Sequence, residues 1–328
     1  MGLGAAAVLA GLTGLLVGSF LNTFIDRWPR GESVLAPPSR CEHCGRRLGP
    51  LELVPVLSWI FLRGRCLRCG AAIGLQAPVV EGATGLLFAT VAATARTPAE
   101  LWLGLGLVAV LVAVTGTDLK EQLIPDVALL AGLAWALVLL LAGLTAWGPW
   151  LYTGWAAQGT EGPAALGTGR GERWSGDPGV ARLPDLGAGP GAETGGTGIR
   201  AVASGPAAAA GHPWRVAVLG AWGTSLTAAV GAGLALGLVR WASRGGLGPG
   251  DVKLAAFLGL YLGPRATLVA LFAAAVLGGI VAGFLLMTGR RARDDAIPFG
   301  PFLAAGGLAG WFWGDALAAA YLRWAGLA

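Results

Sequence analysis

The chain has 328 residues, of which 55% are hydrophobic and only 12% are charged, and its mean hydropathy is +0.67. A soluble domain carries roughly 25% charged residues, so the composition excludes an ordinary soluble protein and indicates a polytopic membrane protein. Basic loops on the cytoplasmic side of a membrane explain the net charge of +5, and we therefore expect no nucleic-acid partner.

Eight apolar runs are candidates for membrane-spanning helices. They lack the strict alternation of transmembrane strands, so the predicted fold class is an all-α polytopic membrane protein with about eight transmembrane helices. The sixth run is short, and we expect Pro264 to end it because proline starts a helix more easily than it continues one. The predicted spans are 3–24, 78–95, 100–117, 127–147, 216–240, 252–263 with a short continuation, 265–288 and 298–325.

Arginine residues set the expected orientation of these spans. The predicted loops 25–77 and 289–297 are rich in arginine, whereas the short loops on the opposite side offer little beyond Arg96 and Arg265. Because basic loops stay in the cytoplasm, we expect the N-terminus to face outside. With eight spans the C-terminus faces outside as well.

The composition of the chain changes sharply in one long segment. Residues 148–214 repeat Gly, Pro, Ala and Thr with few large apolar side chains, which cannot bury enough surface to offset the entropy of ordering. We expect a flexible external insert there and assign it no function. The predicted regions are a first transmembrane span (1–24), a cytoplasmic four-cysteine zinc domain (25–77), transmembrane helices with a first candidate aspartate (78–147), the insert (148–214) and transmembrane helices with a second (215–328).

All four cysteines of the chain occur in two Cys-x-x-Cys pairs. The pairs are Cys41 with Cys44 and Cys66 with Cys69, and a glycine follows each. This spacing is typical of a four-thiolate zinc site, and four protein ligands leave no open position for catalysis, so we predict structural zinc. Disulfides or free thiols are the alternatives, but a cytoplasmic location favours metal. His43 is expected to be an exposed spacer.

Two aspartates lie beside apolar segments in unusual contexts. Asp118 ends the third span, and Asp251 follows Gly248-Pro249-Gly250 at the start of a later one. Ionisable groups are costly near hydrocarbon, so such a pair is a functional-site hypothesis. The charge-based topology places both acids at the cytoplasmic ends of their helices. Two carboxylates brought together can share one proton and activate water, as aspartic proteases do.

Neighbouring residues leave several interpretations open. Gly248 and Gly250 would allow close approach of a substrate backbone beside Asp251, but Asp251 is also well placed to cap a helix. For Asp126, capping or compensation of the helix dipole is favoured. Lys253 tunes the acidic pair or contacts substrate, or it extends its charged end towards water. A transporter site is disfavoured because its carboxylates would lie near the membrane midplane.

Several sequence blocks together resemble the type IV prepilin peptidases, a family of aspartic membrane proteases that process precursors of pilins and of type II secretion pseudopilins. Their shared order carries the resemblance, which covers nearly everything outside the insert. The blocks are Gly18–Asn22, Ile25–Pro29, Pro38–Gly45, Val54–Trp59, Arg63–Gly70, Pro78–Glu81, the two aspartate motifs and Ile297–Pro301.

The resemblance implies that Asp118 and Asp251 are a catalytic dyad in the inner membrane of a prokaryote. The implied substrate has a short basic leader and a hydrophobic helix, and it is cut after a glycine near the cytoplasmic face. The resemblance also implies methylation of the new N-terminal residue with S-adenosylmethionine as donor. No donor-binding residue can be identified, although the cysteine domain and Glu81 are candidate neighbours. A peptidase without methyltransfer and a non-enzymatic assembly scaffold for secretion or pili are the alternatives.

Overall fold

The computed structural model describes residues 3–143, 213–243, 246–289 and 297–327. The predicted insert over 148–214 therefore lies almost wholly outside the described residues, and so do the arginines at 290, 291 and 293. Within the described ranges the regular structure is helical, with no β-strand beyond two isolated bridges. This confirms the predicted all-α fold class.

Eight α-helices make up most of the described chain. Six of them are long and apolar enough to cross a membrane, namely α1 and α3 to α7. Many of their leucine and phenylalanine side chains are exposed on the bundle surface, where lipid would surround them. The protein is a multi-pass membrane protein. The helices are α1 (Leu3–Arg27), α2 (Leu57–Phe61), α3 (Gln76–Thr94), α4 (Pro98–Glu121), α5 (Asp126–Gly143), α6 (Pro213–Ala242), α7 (Pro249–Met287) and α8 (Gly300–Trp324).

Helix α7 contains a sharp break near its middle. Gly263 has φ 71° and ψ 176°, and Pro264 follows it. A positive φ is readily adopted by glycine, and proline cannot donate the hydrogen bond that would continue the helix. The prediction that Pro264 ends the short sixth span is thereby confirmed.

The contacts between α7 and α8 show that the chain reverses direction at this break. Before it, higher residue numbers in α7 lie against higher numbers in α8; after it, the order is opposite. The pairs are Leu258 with Gly307 and Leu262 with Gly310 before the break, and Ala266 with Gly314, Ala270 with Gly306 and Gly278 with Phe299 after it. Helix α7 is therefore a helical hairpin with two antiparallel arms. The two arms and α8 lie at the positions of the last three predicted spans.

Helix α4 lies at the centre of the bundle. Leu107, Leu111 and Val114 on α4 are fully buried, and they belong to one apolar core with Leu258 of α7 and Leu303 of α8. Helices α1, α3 and α5 also contact α4. A helix surrounded in this way has its end fixed relative to several neighbours at once, which matters for the residues in its last turn.

Local sequence sets both ends of α4. The Thr97 hydroxyl accepts a hydrogen bond from the Glu100 N–H at 3.1 Å, and Pro98 is the first helical residue, both of which favour a helix start. At the other end Gln122 adopts a left-handed conformation with φ 51°, which stops the helix. Asp118 consequently lies in the last turn of α4.

The region between α1 and α3 is small and has little regular structure. It contains α2 and two 3-10 helices, Trp28–Arg30 and Pro50–Leu53. Val56 has φ 60°, which is unfavourable for a β-branched residue. Its N–H donates to Oε2 of Glu81 at 2.7 Å, and Glu81 is a buried residue of α3. This hydrogen bond fastens the cysteine-bearing region to the membrane helices.

Candidate active site and cysteine metal site

Asp118 is buried at the junction of α4 and α8. Its side chain is only 5% exposed, and its Oδ2 accepts a hydrogen bond from the Gly300 N–H at 2.9 Å. A Cβ on residue 300 would lie 2.6 Å from that oxygen. The first residue of α8 must therefore be glycine for the Asp118 carboxyl to reach the N–H group. The sequence indicated this residue only as part of the Ile297–Pro301 block and assigned it no role.

Asp251 is equally buried, at 6% exposure, in the first turn of α7. Its Oδ2 accepts a hydrogen bond from the Gly248 N–H at 3.0 Å, so it also caps its own helix, as one interpretation of the sequence held. Gly250 lies against Ile124, where a Cβ on residue 250 would come within 2.8 Å of the Ile124 Cβ. This glycine allows the loop before α5 to pack directly beside Asp251.

The two carboxyls share one end of the bundle. Asp251 follows Gly250, which packs against Ile124, and Ile124 is six residues beyond Asp118 in the segment after α4. Each is held through Oδ2 by a backbone N–H at a helix N-terminus, where the partial positive charge of the helix favours a carboxylate. The structure therefore brings Asp118, Asp251, Gly248 and Gly250 together, and it adds Gly300 to them.

Lys253 has a partner that the sequence did not predict. Its Nζ contacts Asp126 on α5, at 2.7 Å from Oδ1 and 2.8 Å from Oδ2. Both side chains are more than half exposed, so the pair contributes little to stability. Lys253 thus joins α5 to α7, and its ammonium group is directed towards Asp126.

A second polar cluster ties α1, α3 and α4 together near the last turn of α4. Gln76 Nε2 donates to Asn22 Oδ1 at 2.8 Å and to Asp26 Oδ1 at 2.9 Å. Lys120 forms an ion pair with the same Asp26 carboxylate. Sequence reasoning missed this cluster; its only signal was polar residues at the ends of three apolar spans. The cluster holds the end of α4 that carries Asp118.

The four cysteines form a compact cluster of sulfur atoms. The Sγ atoms of Cys41, Cys44, Cys66 and Cys69 lie within 4.8 Å of one another, and those of Cys41 and Cys69 are 3.8 Å apart. Tetrahedral zinc with Zn–S bonds of about 2.3 Å has sulfur–sulfur edges of about 3.8 Å. The cluster can therefore hold a metal ion, and the Cys41–Cys69 separation equals the edge of such a tetrahedron. His43 is exposed and lies outside the cluster.

Each cysteine pair sits in a tight turn closed by its glycine. Gly45 and Gly70 have φ 68° and 69°, and their N–H groups donate to the Cys41 and Cys66 carbonyl oxygens at 2.9 and 3.0 Å. These values match the knuckle turns expected from the sequence, because a positive φ suits glycine.

The environment of the sulfurs favours at least one thiolate. The backbone N–H groups of Cys69 and Arg68 lower the pKa of the Cys66 thiol to about 6. For Cys69 the Ala71 N–H acts in the same direction, but burial and the three neighbouring cysteines outweigh it and raise the pKa to about 11. Four sulfurs this close cannot all ionise without a cation among them, which is the condition a bound metal ion relieves.

Two family models match parts of the chain. Residues 12–95 match the model of the bacterial peptidase A24 N-terminal domain, and residues 201–283 match that of the type IV leader peptidase family. The second range includes Asp251, whereas Asp118 lies between the two ranges. No solved structure matches the chain. The fold and these matches define a membrane-embedded peptidase.

Curated relatives make the assignment more specific. The chain is 30% identical to a prepilin leader peptidase/N-methyltransferase of Burkholderia pseudomallei (strain 1026b), over 95% of this chain and 86% of the relative. A protein with the same description from Aeromonas hydrophila is 30% identical over 95% and 92% of the two chains. One from Bacillus subtilis (strain 168) is 27% identical over 95% and 96%. The chain belongs to the prepilin leader peptidase/N-methyltransferase family.

Proposed function

We propose that the protein is an aspartic endopeptidase that removes the leader from type IV prepilins or pseudopilins, with Asp118 and Asp251 as its catalytic pair. The observation that supports this proposal is the burial of two carboxyls at one end of the bundle, each accepting a hydrogen bond through Oδ2 from a backbone N–H at a helix N-terminus. With Oδ2 of each carboxyl engaged in these bonds, Oδ1 is the oxygen that would face water and substrate.

In the proposed reaction one carboxyl is ionised and the other carries a proton. The ionised carboxylate takes a proton from water, whose oxygen attacks the carbonyl carbon of the scissile peptide. The protonated carboxyl donates its proton to the carbonyl oxygen at the same time. When the neutral gem-diol intermediate collapses, the protonated carboxyl gives its proton to the amine nitrogen and the C–N bond breaks. One diol hydroxyl returns its proton to the other carboxylate, so that a single proton is again shared between the two carboxyls.

The location of the cleavage follows from the expected topology. With the arginine-rich loops in the cytoplasm, the N-terminus faces outside and the carboxyl pair lies near the cytoplasmic face of the inner membrane. A precursor with a short basic leader and an apolar helix would present its polar–apolar junction at that depth. Cleavage after the glycine at this junction would release the leader into the cytoplasm.

A second activity, methylation of the new N-terminal residue from S-adenosylmethionine, forms part of the proposal because the relatives are described as N-methyltransferases. The described residues contain no β-strand, so a glycine-rich strand–helix donor site does not fit that part of the chain. The Glu81 carboxylate, a candidate neighbour of the donor, is hydrogen-bonded to Val56. We therefore assign no residue to the methyl donor.

We further propose that zinc bound by Cys41, Cys44, Cys66 and Cys69 has a structural role. A bound ion would cross-link two knuckle turns in a region, predicted as 25–77, that has little apolar core of its own. The cysteine domain would then stabilise the fold, whereas the helices in the predicted regions 78–147 and 215–328 carry the reacting carboxyls.

The decisive experiment is cleavage of a candidate prepilin by the full-length protein and by Asp118→Asn and Asp251→Asn variants in membranes. Each variant should lose at least about 10³-fold in cleavage rate, in the range expected for a group that transfers protons in the transition state. Asp315→Asn, at an exposed position on α8, is the matched control and should cleave normally.

Normal processing by both dyad variants would reject the proposed dyad, and would leave a non-enzymatic assembly role as the better account. Mass spectrometry of the mature N-terminus tests the second activity separately. An N-terminus that is unmethylated in every product would reduce the proposal to a peptidase alone.

A further inference from the structure

Helix α2 presents an apolar face at the protein surface. Leu57, Ile60 and Phe61 follow a spacing of three and four residues, which places them on one side of the helix. Their exposed fractions are 51%, 55% and 80%. We call these three side chains the α2 face. Large apolar side chains exposed together mark a surface that meets another apolar body, either a protein partner or a membrane.

The opposite side of α2 is packed against its own region of the chain. The Trp59 indole N–H donates to the Ile73 carbonyl oxygen at 3.1 Å. The indole ring lies on Gly64, where a Cβ would come within 2.8 Å. Trp59 is on the side of the helix opposite the α2 face, so these contacts direct the α2 face away from Gly64 and Ile73.

Two contacts to α3 fix the level at which α2 begins. The N–H of Val56, the residue before α2, donates to Oε2 of Glu81 at 2.7 Å. A Cβ on Gly82 would lie 4.0 Å from the Val56 side chain. Glu81 is five residues after Gln76, the first residue of α3, and five residues correspond to about 8 Å along a helix. Helix α2 therefore starts about 8 Å beyond the end of α3 that carries Gln76, on the side of the bundle interior.

This end of α3 marks a membrane boundary. Helix α3 has 19 residues, so its length of about 28 Å only just spans a hydrocarbon core of about 30 Å. Gln76 bonds the Asp26 carboxylate, which also pairs with Lys120, and such charged groups stay near the water interface. An element about 8 Å inside this level lies at the boundary of headgroups and acyl chains, where interfacial helices lie. Lipid is therefore the apolar body that meets the α2 face.

Two exposed arginines follow the α2 face along the chain. The Arg63 N–H donates to the Ile60 carbonyl oxygen at 3.1 Å, which places the Arg63 backbone at the end of α2. Arg63 and Arg65 are both exposed, and neither forms an ion pair with a described residue. Guanidinium groups beside an apolar face at this depth match the phosphate groups of lipid headgroups, which lie just outside the acyl chains.

We propose that α2 is an interfacial helix that seats the cysteine-bearing region on an anionic lipid surface. The α2 face lies among the acyl chains of one leaflet, and Arg63 and Arg65 contact the headgroup phosphates. The Glu81 carboxylate serves this arrangement, because the Val56 N–H has no water to bind at that depth. The inference adds a lipid-binding surface to the proposed function and does not depend on peptidase activity.

Photo-crosslinking tests what covers the α2 face. A photoreactive phenylalanine derivative would replace Phe61 in the full-length protein, held in nanodiscs of phosphatidylcholine with a minor fraction of phosphatidylglycerol. Leu67 is the matched control position, because it is 68% exposed but lies inside the Cys66–Cys69 turn. Mass spectrometry identifies the adducts after illumination. We expect lipid adducts from position 61 and none above background from position 67.

The same adducts test the two arginines. At position 61 we expect the ratio of phosphatidylglycerol to phosphatidylcholine adducts to exceed their ratio in the bilayer by at least about fivefold, since each arginine near the surface attracts anionic lipid. Arg63→Gln combined with Arg65→Gln should bring this excess close to one. Arg323→Gln is the control and should leave the excess unchanged, because Arg323 is exposed in the last turn of α8, at the opposite end of that helix from Gly300.

Several outcomes would overturn the inference. Cross-links from position 61 to a second copy of the chain, with no lipid adducts, would make the α2 face an interface between copies. No adducts at position 61, or equal lipid adducts at positions 61 and 67, would show that α2 is not seated in the leaflet. An excess of anionic adducts that survives in the double arginine variant would remove Arg63 and Arg65 from the lipid site. Neither measurement uses cleavage, so these failures leave the proposed peptidase function untouched.

Discussion

The cysteine site and the carboxyl site of this protein are assembled in opposite ways. Each half of the cysteine site is a local turn, in which two cysteines and one glycine lie within five consecutive residues. The carboxyl site needs the last turn of α4, the first turn of α7 and the first residue of α8. The cysteine site depends on short motifs, whereas the carboxyl site depends on helix packing. A substitution in one site should therefore change metal content or cleavage without an equal change in the other.

Among the substitutions that test this comparison between the two sites, Gly300→Ala is expected to have the largest effect on precursor cleavage. The added methyl group would lie 2.6 Å from Asp118 Oδ2 and would displace the carboxyl from the N–H group that holds it. A misplacement of about 1 Å can cost about 100-fold in rate, and we expect a loss of that order in precursor cleavage. The measurement is the initial rate of leader removal in membranes.

Gly279→Ala on α7 provides the control for this prediction, because a Cβ at that position meets nothing within 4 Å. Its cleavage rate should equal that of the wild type. Equal rates for Gly300→Ala as well would show that the contact between Gly300 and Asp118 does not position the reacting carboxyl.

Removing one thiolate should empty the metal site with a smaller effect on cleavage. For Cys66→Ser we expect the zinc content to fall from about one ion per chain to nearly none, because the tetrahedral site loses a ligand. Cleavage should fall by no more than about tenfold, since the carboxyls are held by other elements. Metal analysis and the cleavage assay measure the two effects.

His43→Ala should retain the metal, because His43 is exposed and lies outside the sulfur cluster. If Cys66→Ser abolished cleavage as completely as Asp118→Asn, the two sites would be functionally inseparable. Persistent disulfides without metal would reject the zinc site.

The metal site should also release its ion on acidification. Zinc binds thiolates, so protons compete with it. The pKa of the metal-free Cys66 thiol is lowered to about 6, and a bound cation would favour the thiolate form of all four cysteines further. We expect zinc to be retained at pH 7 and released progressively below about pH 6, as followed with a zinc-sensitive dye. Release that increased with rising pH would contradict this assignment.

The smallest effect is expected at the ion pair between Asp26 and Lys120. Both side chains are about one-third exposed, and such pairs contribute at most about 1 kcal/mol. Lys120→Met should therefore lower cleavage by no more than about fivefold. The charge-swapped protein with Asp26→Lys and Lys120→Asp should recover part of that loss, and a loss as large as that of Gly300→Ala would show that this pair positions Asp118.

Short-range patterns predicted much of the architecture. The apolar runs gave the helices and the reversal near Pro264, because hydrophobic length and proline act locally. The glycine after each cysteine pair predicted the two knuckle turns, because the preference of glycine for a positive φ also acts locally. The hydrogen bond between Gly300 and Asp118 could not be predicted in this way, since 182 positions separate the two residues and no local rule specifies which helix end meets which.

The sequence by itself determined a multi-pass helical membrane protein, a four-cysteine cluster and two acids at the ends of apolar helices. Each of these follows from side chains close together in the chain, where hydrophobicity, turn geometry and ligand spacing are already fixed. Only the tertiary structure decided that the Gly300 N–H holds Asp118 and that Lys253 pairs with Asp126. Those features depend on close helix contacts at Gly132 and Gly300, where the absence of a side chain allows distant segments to meet.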